Sequence, residues 1–380
     1  MAEVVSIGSH FIFIALIISN VALINYVDKI VFKEFISTGS VVKANKKKSF
    51  WEVVLFLVTL LLSVPIGLQI SNLITLLSLR DYFYFLGSWF GYIYFGAMYL
   101  VWFSISHKTD MKINELESNR IDYVLWKLQM LALDLLPVML MVLINSYILD
   151  HDNLPISQWL VSFSLVFILI NIFSVHIHIL ILRAKLINKS ELPDKVKGLI
   201  ENLVRKCNIY EFNTMNNKYT NAYAFGGYLF NSKILISDNL KRVLTEKEFE
   251  SVIAHELAHI KKHHKPVEGF VYLLAVSITQ LLWSFMGEMD GYDFILALGM
   301  ISLVFHLHSF MSRIHEKQAD GYVIKIGCEP QIYISALQKV HSQNVFPATP
   351  LGKLEEKLST HPSLENRIKY INEFAKSMGS

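Results

Sequence analysis

Cysteine and charge are both scarce in this chain of 380 residues. The two cysteines, Cys207 and Cys328, lie far apart and show no Cys-x-x-Cys spacing. That excludes a disulfide framework and a thiolate metal centre as organising features. Charged residues make up 18% of the chain, against roughly 25% in soluble domains. The net charge is only +3, carried mostly by short segments between apolar runs, so nucleic-acid binding has no support. Internal repeats and low-complexity stretches are missing too. What is abundant is apolar: 53% of residues are hydrophobic and the mean hydropathy is +0.40. These residues are gathered into runs of about 20, the length needed to cross a bilayer as a helix.

Seven runs are predicted as spans, at 5–27, 53–79, 82–106, 128–149, 159–182, 267–286 and 294–311. No small-residue cleavage site follows the first, which therefore reads as a span and not as a removed signal. Lysine and arginine collect in cytoplasmic loops. Lys29, Lys33, Lys43 and Lys46 to Lys48 follow the first run, Lys108, Lys112 and Arg120 the third, and Arg183, Lys185 and Lys189 the fifth. The alternate loops hold Asp150 and Asp152, or Glu288, Asp290 and Asp293; only Arg80, beside Asp81, adds a positive charge there. The expected arrangement has the amino terminus outside and the carboxyl terminus in the cytoplasm. Five spans occupy 1–183 and two more 267–311. The polar segments 184–266 and 312–380 share the cytoplasmic side and can fold together as one α+β domain.

Within that domain, residues 190–208 show helical periodicity after Pro193, and 209–237 read as strands with a turn at Asn231-Ser232. Thr245 with Glu248 forms a capping box that opens a helix expected to run to Pro266. That helix carries His255-Glu256-Leu257-Ala258-His259. Its two histidines are one turn apart on one face, so both imidazoles can reach a single zinc ion. Glu256 is turned about 100° from His255 and suits a general base acting on water. A catalytic zinc keeps three protein ligands. The third is expected from Arg313-Ile314-His315-Glu316-Lys317-Gln318-Ala319-Asp320, with Glu316 as ligand and Asp320 orienting an imidazole. His315 is a rival ligand on its chemistry alone.

The combination resembles the type I CAAX prenyl proteases, the sterile-24-like family of seven-span zinc endopeptidases, and more broadly their gluzincin relatives. The matching stretches are Asn221-Ala222-Tyr223-Ala224-Phe225-Gly226, His255 to His259, Glu316 to Asp320, and Thr360-His361-Pro362 with Arg367. Their order, with two spans between the histidine helix and Glu316, is that of the family. By motif the likeness covers about 190–380, and by span count the rest. The resemblance implies one Zn²⁺ on His255, His259 and Glu316, with Glu256 as base. It places His361 and Arg367 near the scissile bond, where a donor or cation stabilises an oxyanion. It makes Asn221, Ala222 and Tyr223 part of an edge strand that binds an extended substrate, with Gly226 and Gly227 allowing close approach. His264 matches a further family histidine.

The fold class expected is thus an α-helical, multi-pass integral membrane protein with a cytoplasmic α+β zinc-metalloprotease domain. Its partners are a peptide or protein substrate, lipidated if the resemblance extends to substrate, and membrane lipid. The Ile-, Asn- and Lys-rich usage points to a bacterial inner membrane; in a eukaryote the endoplasmic reticulum would be the place. A bacterial home makes membrane-protein quality control the alternative to prenyl-peptide processing, because prenylated CAAX proteins are uncommon there. A seven-span receptor or transporter with structural zinc is a third reading, but it has no use for Glu256. Polar residues inside the spans (Asp134, Asn145, Asn171, His176, His178, His306, His308) face a bundle interior or water. A second metal site among those four histidines is conceivable, although neighbours two apart on a helix diverge by about 200°.

Overall fold

The computed structural model describes residues 2–76, 90–151, 156–204, 206–226, 232–284, 291–344 and 361–379. The chain divides into two compact units, one of residues 1–128 with 215–217 and one of 129–214 with 218–380. Expectations that rested on Arg80, Asp81, Asp152, Gly227, Asn231, Glu288, Asp290 and Thr360 lie outside the described residues.

The first unit is built from α1 (Ala2–Thr38), α2 (Val41–Leu76), α3 (Phe90–Asn114) and the start of α4 (Arg120–His151). An apolar bundle gains little specificity from burial alone, and polar pins fix its register. Asn20 Nδ2 donates to Tyr94 Oη at 2.8 Å and to Thr59 Oγ1 at 3.3 Å, joining three helices at one level. Further along, Lys48 pairs with the buried Asp110, which also accepts from the Tyr123 hydroxyl. Thr109 donates to Asp28 at 2.8 Å beside them.

In the second unit, α5 (Ile156–Ile181) leads into a four-stranded sheet of β1 (Lys185–Leu186), β2 (Cys207–Phe212), β3 (Ala222–Phe225) and β4 (Ser232–Ser237). The spatial order is β1-β2-β4-β3, with β2 and β4 parallel and both outer pairings antiparallel. Helices α6 (Asp194–Leu203), α7 (Asp238–Val243), α8 (Glu246–Lys261), α9 (His264–Ser284), α10 (Gly291–Lys325), α11 (Pro330–Gln343) and α12 (Leu364–Gly379) complete it. The seven apolar runs all fall on helices where they are described, namely α1 to α5, α9 and α10. Two windows among the described residues, Ile14–Thr38 and Val161–Ile181, are long and apolar enough on their own to cross a membrane.

Helix α8 is the pivot of this unit. Val252, Ile253 and Leu257 pack on Ile209 of β2 and on Ile234 and Ile236 of β4, while Ala254 meets Val323 of α10 and Tyr333 of α11. A helix buried on nearly every side cannot shift, so its histidines are rigidly placed. The expected capping box is present: Glu248 N–H donates to Thr245 Oγ1, and Thr245 N–H to Glu248 Oε2 at 2.8 Å. The helix stops earlier than expected, however, at Lys261. His263 takes a left-handed φ of 55° and breaks it. Pro266 falls instead in the first turn of α9, where its missing N–H needs no partner.

Gly226 has a task within the sheet as well. A Cβ there would lie 2.8 Å from Cβ of Ser232, so the close approach it permits is to β4 of its own sheet. Gly321 has a similar task on α10. A Cβ at that position would sit 2.7 Å from the Phe374 ring, so its absence lets α12 close against α10.

Glu248 does more than cap its helix, because Lys339 Nζ and Ser335 Oγ of α11 each donate to it at 2.7 Å. Burial would raise its carboxyl, but the hydrogen bonds from Lys339, Thr245 and Ser335 prevail and hold it at about 2, below the ordinary 4.5. A depressed pKa contributes stability that is complete above the unfolded-state value and fades as pH falls from about 4.5 towards 2. Glu248→Gln should therefore cost about 1–3 kcal/mol near neutral pH, after allowing for screening at the half-exposed lysine. Thermal unfolding should also show the variant losing less stability than the parent across that acidic window.

Candidate metal centre

His255 and His259 project from α8 with their Nε2 atoms 3.1 Å apart. Glu316, one turn before Asp320 on α10, brings Oε2 to 3.5 Å from His255 Nε2 and Oε1 to 3.5 Å from His259 Nε2. All three ligand atoms lie within 4.8 Å of one another, the one such grouping found among the described residues. Two segments separated by about sixty residues thus meet because α10 runs on unbroken from its apolar half into the protease domain.

The partners of each ring decide what it offers. Tyr333 Oη of α11 donates to Asp320 Oδ1 at 2.6 Å, and lies 2.8 Å from His255 Nδ1. Asp320 Oδ1 is itself 3.2 Å from that nitrogen. Both neighbours accept, so His255 keeps a proton on Nδ1, and Nε2, which faces Glu316, is the atom that offers a lone pair once the ring is neutral. Arg367 of α12 closes the far side, donating from Nε and Nη2 to both Asp320 oxygens at 3.0 and 2.6 Å, and from Nη2 to Tyr333 Oη at 3.0 Å. Its Nη1 is 3.4 Å from Glu316 Oε2. His361 Nδ1 lies 3.2 Å from Glu316 Oε1, and the ring is largely exposed.

The electrostatics of the cluster ask for a cation. Glu316 Oε2 is buried with no hydrogen-bond partner in the protein. The Glu316 carboxyl is held well below its usual range: burial opposes this, and the charges of Arg367 and His361 outweigh it. Burial also works against a charged His255, yet hydrogen bonds to Asp320 and Glu316 push it up to about 9. Burial, then the charge of His255, pushes His259 down to about 3, so that ring is neutral. Two imidazoles and a carboxylate, one oxygen of which accepts no hydrogen bond, make a donor set suited to a divalent ion. Glu256, on the same turn of α8, has its carboxyl raised by burial, the direction that suits a base working near neutral pH.

A cavity of about 810 Å³ opens over these groups and is lined by His255, Glu256, His259, Glu316, His361 and Arg367. Residues 221–226 form one wall. The outer edge of β3 has no strand paired to it among the described residues. The other end is apolar, with Phe163, Phe167, Tyr272 and Val276 from α5 and α9, and Phe167 stacked on Tyr272 at 5.4 Å. Asn171, His178 and His308 line it as well. His178 and His306 return a ring nitrogen to the carbonyl four residues back, at 2.7 and 2.6 Å. The four span histidines form no metal grouping with one another among the described residues.

Residues 187–375 match Peptidase family M48. A curated relative, the protease HtpX homolog of Aquifex aeolicus, is 30% identical over 217 residues, 48% of this chain and 72% of its own. The chain belongs to peptidase family M48. This M48 chain is also 27% identical over 200 residues to the HtpX homolog of Thermoanaerobacter pseudethanolicus, covering 44% of this chain and 66% of that relative's length. In three dimensions it resembles the crystal structure of S. mikatae Ste24p with a TM-score of 0.66, over 96% of this chain and 98% of that one. At 17% identity the likeness is one of fold. The M48 membership makes the chain a membrane metalloprotease with a metal-dependent centre and a peptide or protein substrate.

Not all of the M48 centre was visible in the sequence. His315, the rival ligand, points away: its Nδ1 donates to Glu268 Oε1 of α9 at 2.9 Å. Tyr333 escaped notice because Tyr333, Ile334 and Leu337 share helical spacing and read as plain core. Asn344 escaped for a different reason, since it follows the last turn of α11 like any capping residue. Its amide grips the entry to β3, accepting from Thr220 N–H at 3.0 Å and donating to Thr220 O at 2.6 Å. One helix thereby holds a candidate ligand at its start and the edge strand at its end.

Tyr333→Phe keeps the ring and removes three hydrogen bonds at once. We expect metal affinity to fall by roughly 10–100-fold, read by competition with a chromogenic chelator on the purified protein.

Proposed function

We propose that this chain is a seven-span zinc endopeptidase that cleaves an extended peptide at the cytoplasmic face of the membrane. The observation that carries the reading is the convergence of His255 Nε2, His259 Nε2 and Glu316 beneath the open edge of β3, with Glu256 in the same cavity. The loop charges support the orientation, because the lysine-rich loops and both halves of the protease domain share one side.

His255, His259 and Glu316 would hold the zinc. A zinc ion there would polarise the scissile carbonyl and make the attacking water more acidic. The remaining work belongs to the chain. A substrate strand pairs with β3 along Ala222 and Tyr223, which fixes the scissile bond over Glu256. Asn221 Oδ1 accepts from Ala222 N–H and its Nδ2 donates to Tyr219 Oη, each at 2.9 Å. The amide keeps a second hydrogen and a second lone pair for the substrate backbone. Glu256 takes the proton of the attacking water on its carboxylate and passes it to the leaving amine. The exposed His361 ring donates to the carbonyl oxygen as charge gathers there. Arg367, bound to both oxygens of Asp320 and 3.4 Å from Glu316 Oε2, offsets part of the charge of the two buried carboxylates and so holds the ligand frame.

The apolar end of the cavity supports a substrate with a greasy group close to the cut, and the leading candidate is a lipidated carboxyl-terminal peptide. Likeness to the HtpX homologs supports a second reading, the clipping of damaged membrane proteins in a bacterial inner membrane. The two readings part on one assay: cleavage of a farnesylated tetrapeptide tail that disappears without the lipid supports the first. Equal cleavage of both tails, or of neither while unfolded membrane proteins are cut, supports the second.

Glu256→Gln should retain zinc and lose at least ~10³-fold in kcat; a zinc-loaded variant that still turns over overturns the assigned base. Glu316→Ala should lower zinc occupancy measured by elemental analysis, and unchanged content would place the third ligand elsewhere.

A further inference from the structure

His255 and His259 do not obtain their working tautomers in the same way. The Nδ1 of His255 faces a carboxylate and a tyrosine. The Nδ1 of His259 faces another imidazole, His264 Nδ1, at 2.9 Å. Two ring nitrogens in contact need one proton between them, and nothing in that pair alone says which ring holds it. The choice is made one bond further out, where His264 Nε2 lies 3.1 Å from Gln318 Oε1 of α10. An amide oxygen only accepts, so His264 carries its proton on Nε2. Its Nδ1 is then a bare acceptor, and His259 must donate from Nδ1. The lone pair of His259 is thereby left on Nε2, the atom that faces His255 Nε2 and Glu316.

We infer that Gln318 and His264 form a positioning relay that sets the tautomer of His259. The inference rests on the reading of His259 as a zinc ligand. The fold supplies what such a relay needs. The left-handed His263 breaks the helix between α8 and α9, and His264 sits against the His259 ring. His315 supports the ring from beneath, stacked on His264 at 4.2 Å and 7°, and is anchored by its Nδ1–H to Glu268. The neutrality of Gln318 has its own reason. Glu316 and Asp320 are already buried within two residues of it, and a further anion in that space would add to the cost of desolvated charge. His255 takes a carboxylate partner that Arg367 neutralises, whereas His259 takes an uncharged chain of two groups ending in an amide.

The test uses the full chain in detergent, with zinc as the probe. Zinc affinity is read by chelator competition, and ring tautomers by nitrogen-15 NMR of labelled histidines in the zinc-loaded protein. Gln318→Leu removes the acceptor and should weaken zinc binding by about 10–100-fold. Gln318→Glu keeps an acceptor and should hold zinc at least about threefold more tightly than Gln318→Leu, with the cost of its added buried charge read separately as a lower unfolding temperature. In the parent, His264 should show its proton on Nε2 and His259 on Nδ1. The relay is overturned if His264 carries its proton on Nδ1, or if the leucine and glutamate variants bind zinc alike. The NMR assignment decides the matter even where Gln318→Leu does not fold. A parent protein that binds no zinc removes the ligand reading and the relay with it, while a parent that binds zinc with the opposite tautomer removes the relay alone.

Discussion

Two imidazole lone pairs and a buried carboxylate directed at one point repel one another until a positive charge sits among them. That constraint organises the protease half of this M48 chain. Helix α8 must be rigid to keep Nε2 of His255 3.1 Å from Nε2 of His259, and it is rigid because sheet, α10 and α11 bury it on nearly every side. Glu316 must be ionised in a dry place, and Arg367 makes that tolerable while also clamping Asp320. Even the small residues serve the arrangement. Gly321 lets α12 approach closely enough for its arginine to reach the site.

Helix α11 ties the candidate metal centre to the edge strand in a way that neither motif announces. Tyr333 touches a candidate ligand, and Asn344 holds the backbone at the entry to β3. Between them Ser335 and Lys339 grip the capping glutamate of α8. The candidate metal cluster and the edge strand proposed to bind peptide therefore share one support, and a movement of that helix would disturb both together. The cavity joins the same two features to an apolar end made by α5 and α9. That continuity between a polar centre and a greasy wall fits the apolar group proposed for the substrate.

Much of this was legible in the residues themselves. His255, Glu256 and His259 are ordered by a local rule, one turn of helix, and the Thr245–Glu248 box that starts the helix is equally local. Glu316 with Asp320 follows the same spacing. Helix ends were harder to read. Pro266 looked like a stop but is a first-turn residue, and the true break is a left-handed histidine whose conformation no spacing rule reveals. Gly226 lines the cavity and also makes room for Ser232, a packing task that spacing does not reveal.

The sequence alone determined that apolar runs would be helices, that two histidines would share a face, and that a carboxylate some sixty residues on would be needed to complete a metal site. Those are consequences of local geometry and of ligand chemistry. Only the tertiary structure decided which polar groups lie behind the ligands. Tyr333 behind His255, Gln318 behind His264 and Glu268 behind His315 are contacts between separate helices. Such contacts depend on how helices cross, and a hydroxyl or an amide carries no mark in the sequence of the ring it will meet.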